Sequence, residues 1–336
     1  MTHVSSAVPA VGAPPSKRSW GPALSIVVRR LLGMAGTMLL ASFVVFGGLH
    51  LAPGSPISFL TQGRSVTPEA IAQLESQYHL DEPFLVQYFG WLGGVLTGDF
   101  GTSIIFNDSV AALLGQRVVN TVTLLGVTAV LVLTLGLAVG LLAGLRPGRL
   151  ARTLLAGATG LMAVPGFVAS VVLMLIFVVR LGWFPSYGTG DGGWDRLHHF
   201  LLPAVALALA SIAYVARLTQ SAIRAELRSE HVQTAISRGL PYRFVIRRHV
   251  IRNAAVPVLT VAGLTVAGLI AGSVVIEQIF QLGGLGQFLV DSVQKKDFPV
   301  VQAICLIYVG AFILLNTVID LAYTLLDPRI SLGKKG

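Results

Sequence analysis

Six apolar stretches, each long enough to cross a bilayer, constrain this chain more than any other feature. They lie near 30–51, 118–144, 153–179, 200–220, 254–276 and 299–324. A hydrocarbon core of about 30 Å needs roughly 20 apolar residues in helical form. Helix satisfies its own backbone in lipid, where an open sheet edge does not. The first run, "LLGMAGTMLLASFVVFGGLHLA", follows Arg29 and Arg30. It is longer than the apolar centre of a secretory signal and has no small-residue cleavage site after it, so a retained anchor is expected. The expected fold is all-α and polytopic, with six transmembrane helices in one bundle over residues 25–331. Residues 1–24 read as a disordered tail, and 332–336 as a short C-terminal tail. Charged residues make up 12% of the chain, about half the share usual in soluble domains, so the length points to one membrane bundle rather than two soluble domains.

The net charge of +9 could suggest nucleic acid, and its placement argues otherwise. With the N-terminus inside, the inner segments hold Lys17, Arg18, Arg29, Arg30, Arg146, Arg149, Arg152, Arg217, Arg224, Arg228, Arg238, Arg243, Arg247, Arg248, Arg252, Arg329, Lys334 and Lys335. That is 18 of the 24 basic residues; the outer segments keep Arg64, Arg117, Arg180, Arg196, Lys295 and Lys296. This asymmetry follows the positive-inside rule, with both termini cytoplasmic. The basic balance therefore reports topology, and the expected surroundings are lipid, with no nucleic-acid partner. The single cysteine, Cys305, excludes an intrachain disulfide and a Cys-based metal cluster.

Within the bundle, Gly136, Gly140 and Gly144 recur at intervals of four, as do Gly268 and Gly272, a spacing that lets helix backbones approach closely in lipid. Pro165-Gly166 interrupts the third span and predicts a kink there. The outer segment, 52–117, is too long for a simple loop. Its stretch "TPEAIAQLESQYHL" predicts a short amphipathic helix, with Thr67 as cap, Pro68 in the first turn, Glu69 at the positive dipole end, and Ile71, Leu74 and Tyr78 on one face.

Chemistry is hard to place on this chain. Gly188, Gly190 and Gly193 match G-x-G-x-x-G in an outer loop without strand-to-helix context. His198 and His199 are adjacent, diverge on a helix, and have no evident third ligand. No H-E-x-x-H, G-x-S-x-G or G-x-x-x-x-G-K-[ST] occurs. No catalytic residue, bound cofactor or metal site is expected. Glu277 at the end of the fifth span and Asp320 in the last make a poor proton relay, which counts against an ion-coupled carrier.

The segment 221–253 between the fourth and fifth spans is the most charged part of the chain. Glu230 opens a helix-like stretch in which Val232, Ala235, Ile236 and Gly239 fall at i, i+3, i+4 and i+7. Gly239 suits the left-handed residue that closes a helix, and Pro241 forbids its continuation. A short helix with small and apolar residues on one side, held at the cytoplasmic face, is shaped to dock into a groove of another protein. The other reading is an interfacial helix resting on anionic lipid, which its arginines also favour.

"EHVQTAISRGLPYRFVIRRHVIRNAAVPVLT" resembles the cytoplasmic signature of ATP-binding-cassette importer permeases, specifically the dipeptide, oligopeptide and nickel group. "HLAPGSP", "QYFGWLGGVLTGDFGTS", "VVIEQIFQLGGLG" and "DLAYTLLDPRI" match the same group, so the resemblance runs through residues 25–331 in order. It implies a type I importer permease bundle, the first of two paired permease subunits, in a bacterial inner membrane. Thr234, Ala235 and Gly239 stand at the signature's Glu-Ala-Ala and glycine positions, with Thr234 replacing an acid or alanine. His249 and Ile251 take later apolar positions, and Arg252 stands where many importers have proline. The resemblance makes Glu230, Val232, Thr234, Ala235, Ile236 and Gly239 the coupling residues toward an ATPase. It further implies a homologous permease, two ATP-binding subunits that carry ATP and Mg, and an extracytoplasmic substrate-binding protein. The expected function is ATP-driven import of peptides or a related small solute; a secondary, ion-coupled transporter is the alternative.

Overall fold

The computed structural model describes residues 21–50, 67, 69, 82–146 and 148–326. Apart from Thr67 and Glu69, the expected amphipathic helix from Thr67 to Leu80 lies outside the described residues, as do residues 1–20, the C-terminal tail and the side chain of Asp320; residues 21–24, expected in the N-terminal tail, are helical. In chain order the helices are α1 (Gly21–His50), α2 (Phe84–Thr97), α3 (Val110–Leu145), α4 (Arg149–Met162), α5 (Gly166–Arg180), α6 (Gly193–Leu227), α7 (Glu230–Ser237), α8 (Tyr242–Phe280), α9 (Leu285–Lys295) and α10 (Phe298–Leu326). No strand occurs among the described residues.

Five helices, α1, α3, α6, α8 and α10, are long and apolar enough to cross a bilayer. The third expected span is divided, with α4 and α5 meeting at 104°. Pro165 stands at the start of α5 with φ −58° and ψ 138°. It has no N–H to give to the helix before it, and it pushes Val164 away from helical geometry. Neither half spans alone, and together they complete six.

Helix α6 is the hub, packed against α3, α4, α5 and α8. The α3–α6 seam is built on the glycine series. A Cβ on Gly140 would lie 2.5 Å from the Thr219 Cβ and 2.6 Å from the Ala216 carbonyl oxygen, while one on Gly144 would lie 2.8 Å from the Ile223 Cβ. Only hydrogen fits, so the backbones close to a distance at which dispersion contacts act along the whole seam. The second glycine pair divides: Gly272 faces Leu207 of α6, and Gly268 has open space beside it. Helix α1 packs chiefly on α10, and α2 returns against α1 through Phe43, Phe46, Tyr88 and Trp91, with the Ser42 and Tyr88 hydroxyls 2.8 Å apart.

The bundle has two chemically different ends. At the α9 end the buried Glu277 closes a clasp. Its carboxylate accepts from the Thr121 hydroxyl at 2.8 Å, the Gly286 N–H at 2.7 Å and the Gln287 N–H at 3.2 Å. Asn120 donates to the carbonyls of Leu282 and Gly283 at 3.0 and 3.1 Å. A side chain on Gly284 would collide with Glu277, and one on Gly286 with the Val274 Cα. The carboxyl group sits at the start of α9, where free N–H groups offer it donors. Nearby, the buried Asp297 accepts from the Ser103 hydroxyl and the Ile104 N–H. The loop before α6 turns on Gly188, Gly190, Gly192 and Gly193, all at positive φ.

Candidate functional site

The opposite end carries α7 and the start of α8, the part of the chain whose sequence pointed to a partner. Glu226 and Arg228 end α6 and its cap, Ser229 bends the chain, and Glu230 begins α7 with its negative charge in the first turn, as the helix dipole prefers. Helix α7 ends as its sequence requires. Gly239 adopts φ +73°, its N–H donates to the Ile236 carbonyl at 2.9 Å, and the Leu240 N–H donates to the Ala235 carbonyl at 3.3 Å. This is the paired-bond closure that glycine makes accessible. Pro241 then starts α8.

The six sequence-predicted residues divide into two groups. Val232 and Ala235 are buried, packed with Ile223, Val245, Val250 and Ala254 in one cluster. These two seat α7 on its own bundle, the Val232 side chain alone contributing about 2 kcal/mol of burial, so they do not line an open face. Glu230, Thr234, Ile236 and Gly239 are exposed, together with Leu240. They share the outward surface with His231, Gln233, Ser237 and Arg238, so the exposed side of α7 and its closure mixes one acid, one arginine, two hydroxyls and two aliphatic side chains with a glycine. Nothing lies within 4 Å of where a Gly239 Cβ would stand.

A polar clasp fixes α7 relative to the two long helices. Glu226 of α6 lies 2.8 Å from the His231 ring nitrogen and accepts from the Asn253 amide at 2.9 Å. His231 and Asn253 are 3.1 Å apart. Arg224 reaches the Ala143 carbonyl of α3 at 3.2 Å. Sequence reading passed over Glu226, His231 and Asn253. Their signal was available only as polar residues at three helix ends, with no periodicity to connect them.

His198 is bound to the Trp183 carbonyl at 2.9 Å and stacks on Phe184, and His199 is held by the Asp195 carbonyl at 2.9 Å. Among the described residues, no three His, Cys, Asp or Glu side chains converge on a metal-sized site. What the end does offer is a short helix clasped to α6 and α8.

Residues 136–332 match the family described as "Binding-protein-dependent transport system inner membrane component", and residues 23–138 match its N-terminal companion family. Among curated relatives, the "Glutathione transport system permease protein GsiC" of Salmonella typhimurium is 36% identical over 311 residues, covering 91% of this chain and 99% of the relative. The "Probable peptide ABC transporter permease protein y4tP" of Sinorhizobium fredii is 34% identical over 308 residues, with 90% and 98% covered. Among solved structures, a chain of the inward-facing MetNI methionine ABC transporter superposes with a TM-score of 0.54 at 20% identity, covering 64% of this chain and 96% of that one.

Proposed function

The chain belongs to the family of inner-membrane components of binding-protein-dependent transport systems, and from that premise we propose that α7 is the element through which an ATP-binding partner drives it. The family places the protein in the inner membrane as a permease subunit, and it makes ATPase and substrate-binding subunits its working partners. In this reading α7 and both chain termini are cytoplasmic, which accords with the clustering of arginines between α6 and α8. Two ATP-binding subunits lie below, a homologous permease alongside, and a substrate-binding protein above. The solute is a peptide or a related small molecule, supported by full-length likeness to relatives named for glutathione and peptide.

One observation carries the reading: α7 is seated by Val232 and Ala235 and presents Glu230, Thr234, Ile236 and Gly239 outward. A helix held in that way fits a groove on another protein and moves as a unit with α6 and α8. ATP binding closes the ATPase dimer and shifts α7, and the bundle turns its pathway outward to accept solute. Hydrolysis and product release return it, as a population shift between two packed states. An ion-coupled carrier would need buried titratable groups free to exchange protons, whereas Glu277 and Asp297 are each engaged in a backbone clasp. The test is reconstitution. The purified chain alone should hydrolyse no ATP, and the vesicle-embedded complex with two ATPase subunits should import solute only when ATP is supplied. Uptake driven by an ion gradient without ATPase subunits would defeat the proposal.

A further inference from the structure

We propose that a concavity at the start of α8, lined by Phe244, Arg247, Arg248 and Arg252, holds the phosphate of an anionic phospholipid. Its volume is about 240 Å³, room for a phosphate and part of a glycerol backbone. All four side chains are exposed. The stretch Ile246–Ile251 is π-helical. In that wider turn successive side chains diverge less than in an α-helix, so Arg247 and Arg248 reach the same space. Phe244 edges onto His249, ring centroids 5.9 Å apart, and closes one side of the concavity.

Among the described residues the charge there is uncompensated by an ion pair. Residues 217–253 carry eight arginines against two acids, Glu226 and Glu230. Glu226 is engaged by His231 and Asn253, and Glu230 lies at the start of α7. Among the described residues, Arg247, Arg248 and Arg252 make no ion pair. Three guanidinium groups around one concavity, each able to offer two parallel N–H donors, match the oxygens of a phosphodiester.

The lipid source is favoured over a soluble anion by what lies along the helix. Leu259, 40% exposed, is two helical turns beyond Arg252 on the same face, about 10 Å along the axis. A phosphate at the arginines therefore has an apolar surface beside it for an acyl chain. The proposal rests on the cytoplasmic placement of α7 given above, since the inner leaflet supplies the anionic lipid.

The test reads lipid directly and does not depend on uptake. Purified full-length protein in phosphatidylcholine micelles is titrated with phosphatidylglycerol, and bound lipid is counted by native mass spectrometry. Changing Arg247, Arg248 and Arg252 together to Gln should weaken the tightest phosphatidylglycerol site about a hundredfold, at roughly fivefold per arginine. The same change at Arg146, Arg149 and Arg152 should leave that site intact. The triple Arg→Lys variant keeps the charge and loses the planar fork, so intermediate retention is expected. Excess inorganic phosphate should fail to displace the lipid. Wild-type retention in the triple Gln variant overturns the proposal, as does full displacement by inorganic phosphate, which would make this a soluble-anion site. Unchanged lipid retention with loss of ATPase capture overturns it in favour of a protein contact. A chain that holds lipid at this site yet never couples to an ATPase would defeat the proposed function and leave the lipid site standing.

Discussion

Replacing Gly239 separates the conformational demand on α7 from its packing. Nothing lies within 4 Å of the position a Cβ would take, and φ is +73°, so an added Cβ meets no neighbour and the penalty it brings is one of backbone. A left-handed residue bearing a Cβ costs roughly 1–2 kcal/mol, and a β-branched one more. If the backbone leaves that region to escape, the Gly239–Ile236 and Leu240–Ala235 bonds are lost, at about 1 kcal/mol each. Valine therefore destabilises the native end of α7 by about 3 kcal/mol, a factor of roughly a hundred in the local equilibrium. Asparagine, which tolerates the left-handed region, costs well under half of that. The assay is ATP-driven uptake into vesicles at matched protein levels. The expected order is wild type, then Gly239→Asn, then Gly239→Val with uptake near background, while all three reach the membrane equally. Uptake at the wild-type rate in Gly239→Val would refute the argument and favour a helix that merely rests on lipid.

Three further outcomes follow from the geometry. A cysteine at Thr97, in a chain whose Cys305 is changed to Ser, should react with an impermeant external reagent, and one at Ser237 only after the membrane is opened; the reverse pattern would invert the topology. Gly140→Leu should destabilise the α3–α6 seam by about 1–3 kcal/mol in a denaturation series in detergent, because its Cβ would already stand 2.5 Å from Thr219; unchanged stability would mean the helices are less closely packed. Glu277→Ala leaves two backbone N–H groups and the Thr121 hydroxyl without their acceptor, at about 1–3 kcal/mol for each buried group orphaned. Faster proteolysis between Gln281 and Asp297 is the expected sign, and wild-type resistance would show that the clasp does not hold that segment.

The spans were legible because apolar length is a local property, and the α3–α6 seam because Gly136, Gly140 and Gly144 mark one helix face whatever their partner. Gly239 was legible for the same reason, since a left-handed closure before a proline is decided within a few residues. The division of α7 was not legible. Val232, Ala235 and Ile236 form one stripe in sequence, and whether a stripe is buried by its own bundle or by a partner depends on Ile223, Val245, Val250 and Ala254, which approach only in the fold. Pro165-Gly166 announced an interruption, while the 104° angle reflects how α4 and α5 each pack on α6. The Glu277 clasp joins residues 156 positions apart, and the Glu226–His231–Asn253 contact spans three helix ends, so neither leaves a periodic trace.

Cross-linking from α7 tests the central claim most directly. In the assembled complex, with Cys305 changed to Ser, a single cysteine is placed at Ile236, 41% exposed, or at Ala235, 6% exposed, and treated with a short bifunctional thiol reagent against an ATPase subunit bearing cysteines along its permease-facing groove. Ile236→Cys should form the cross-link efficiently, with a yield that changes when ATP is added, and Ala235→Cys should form little. Absence of any cross-link from Ile236→Cys in a complex that still transports would contradict the claim that α7 is the coupling element.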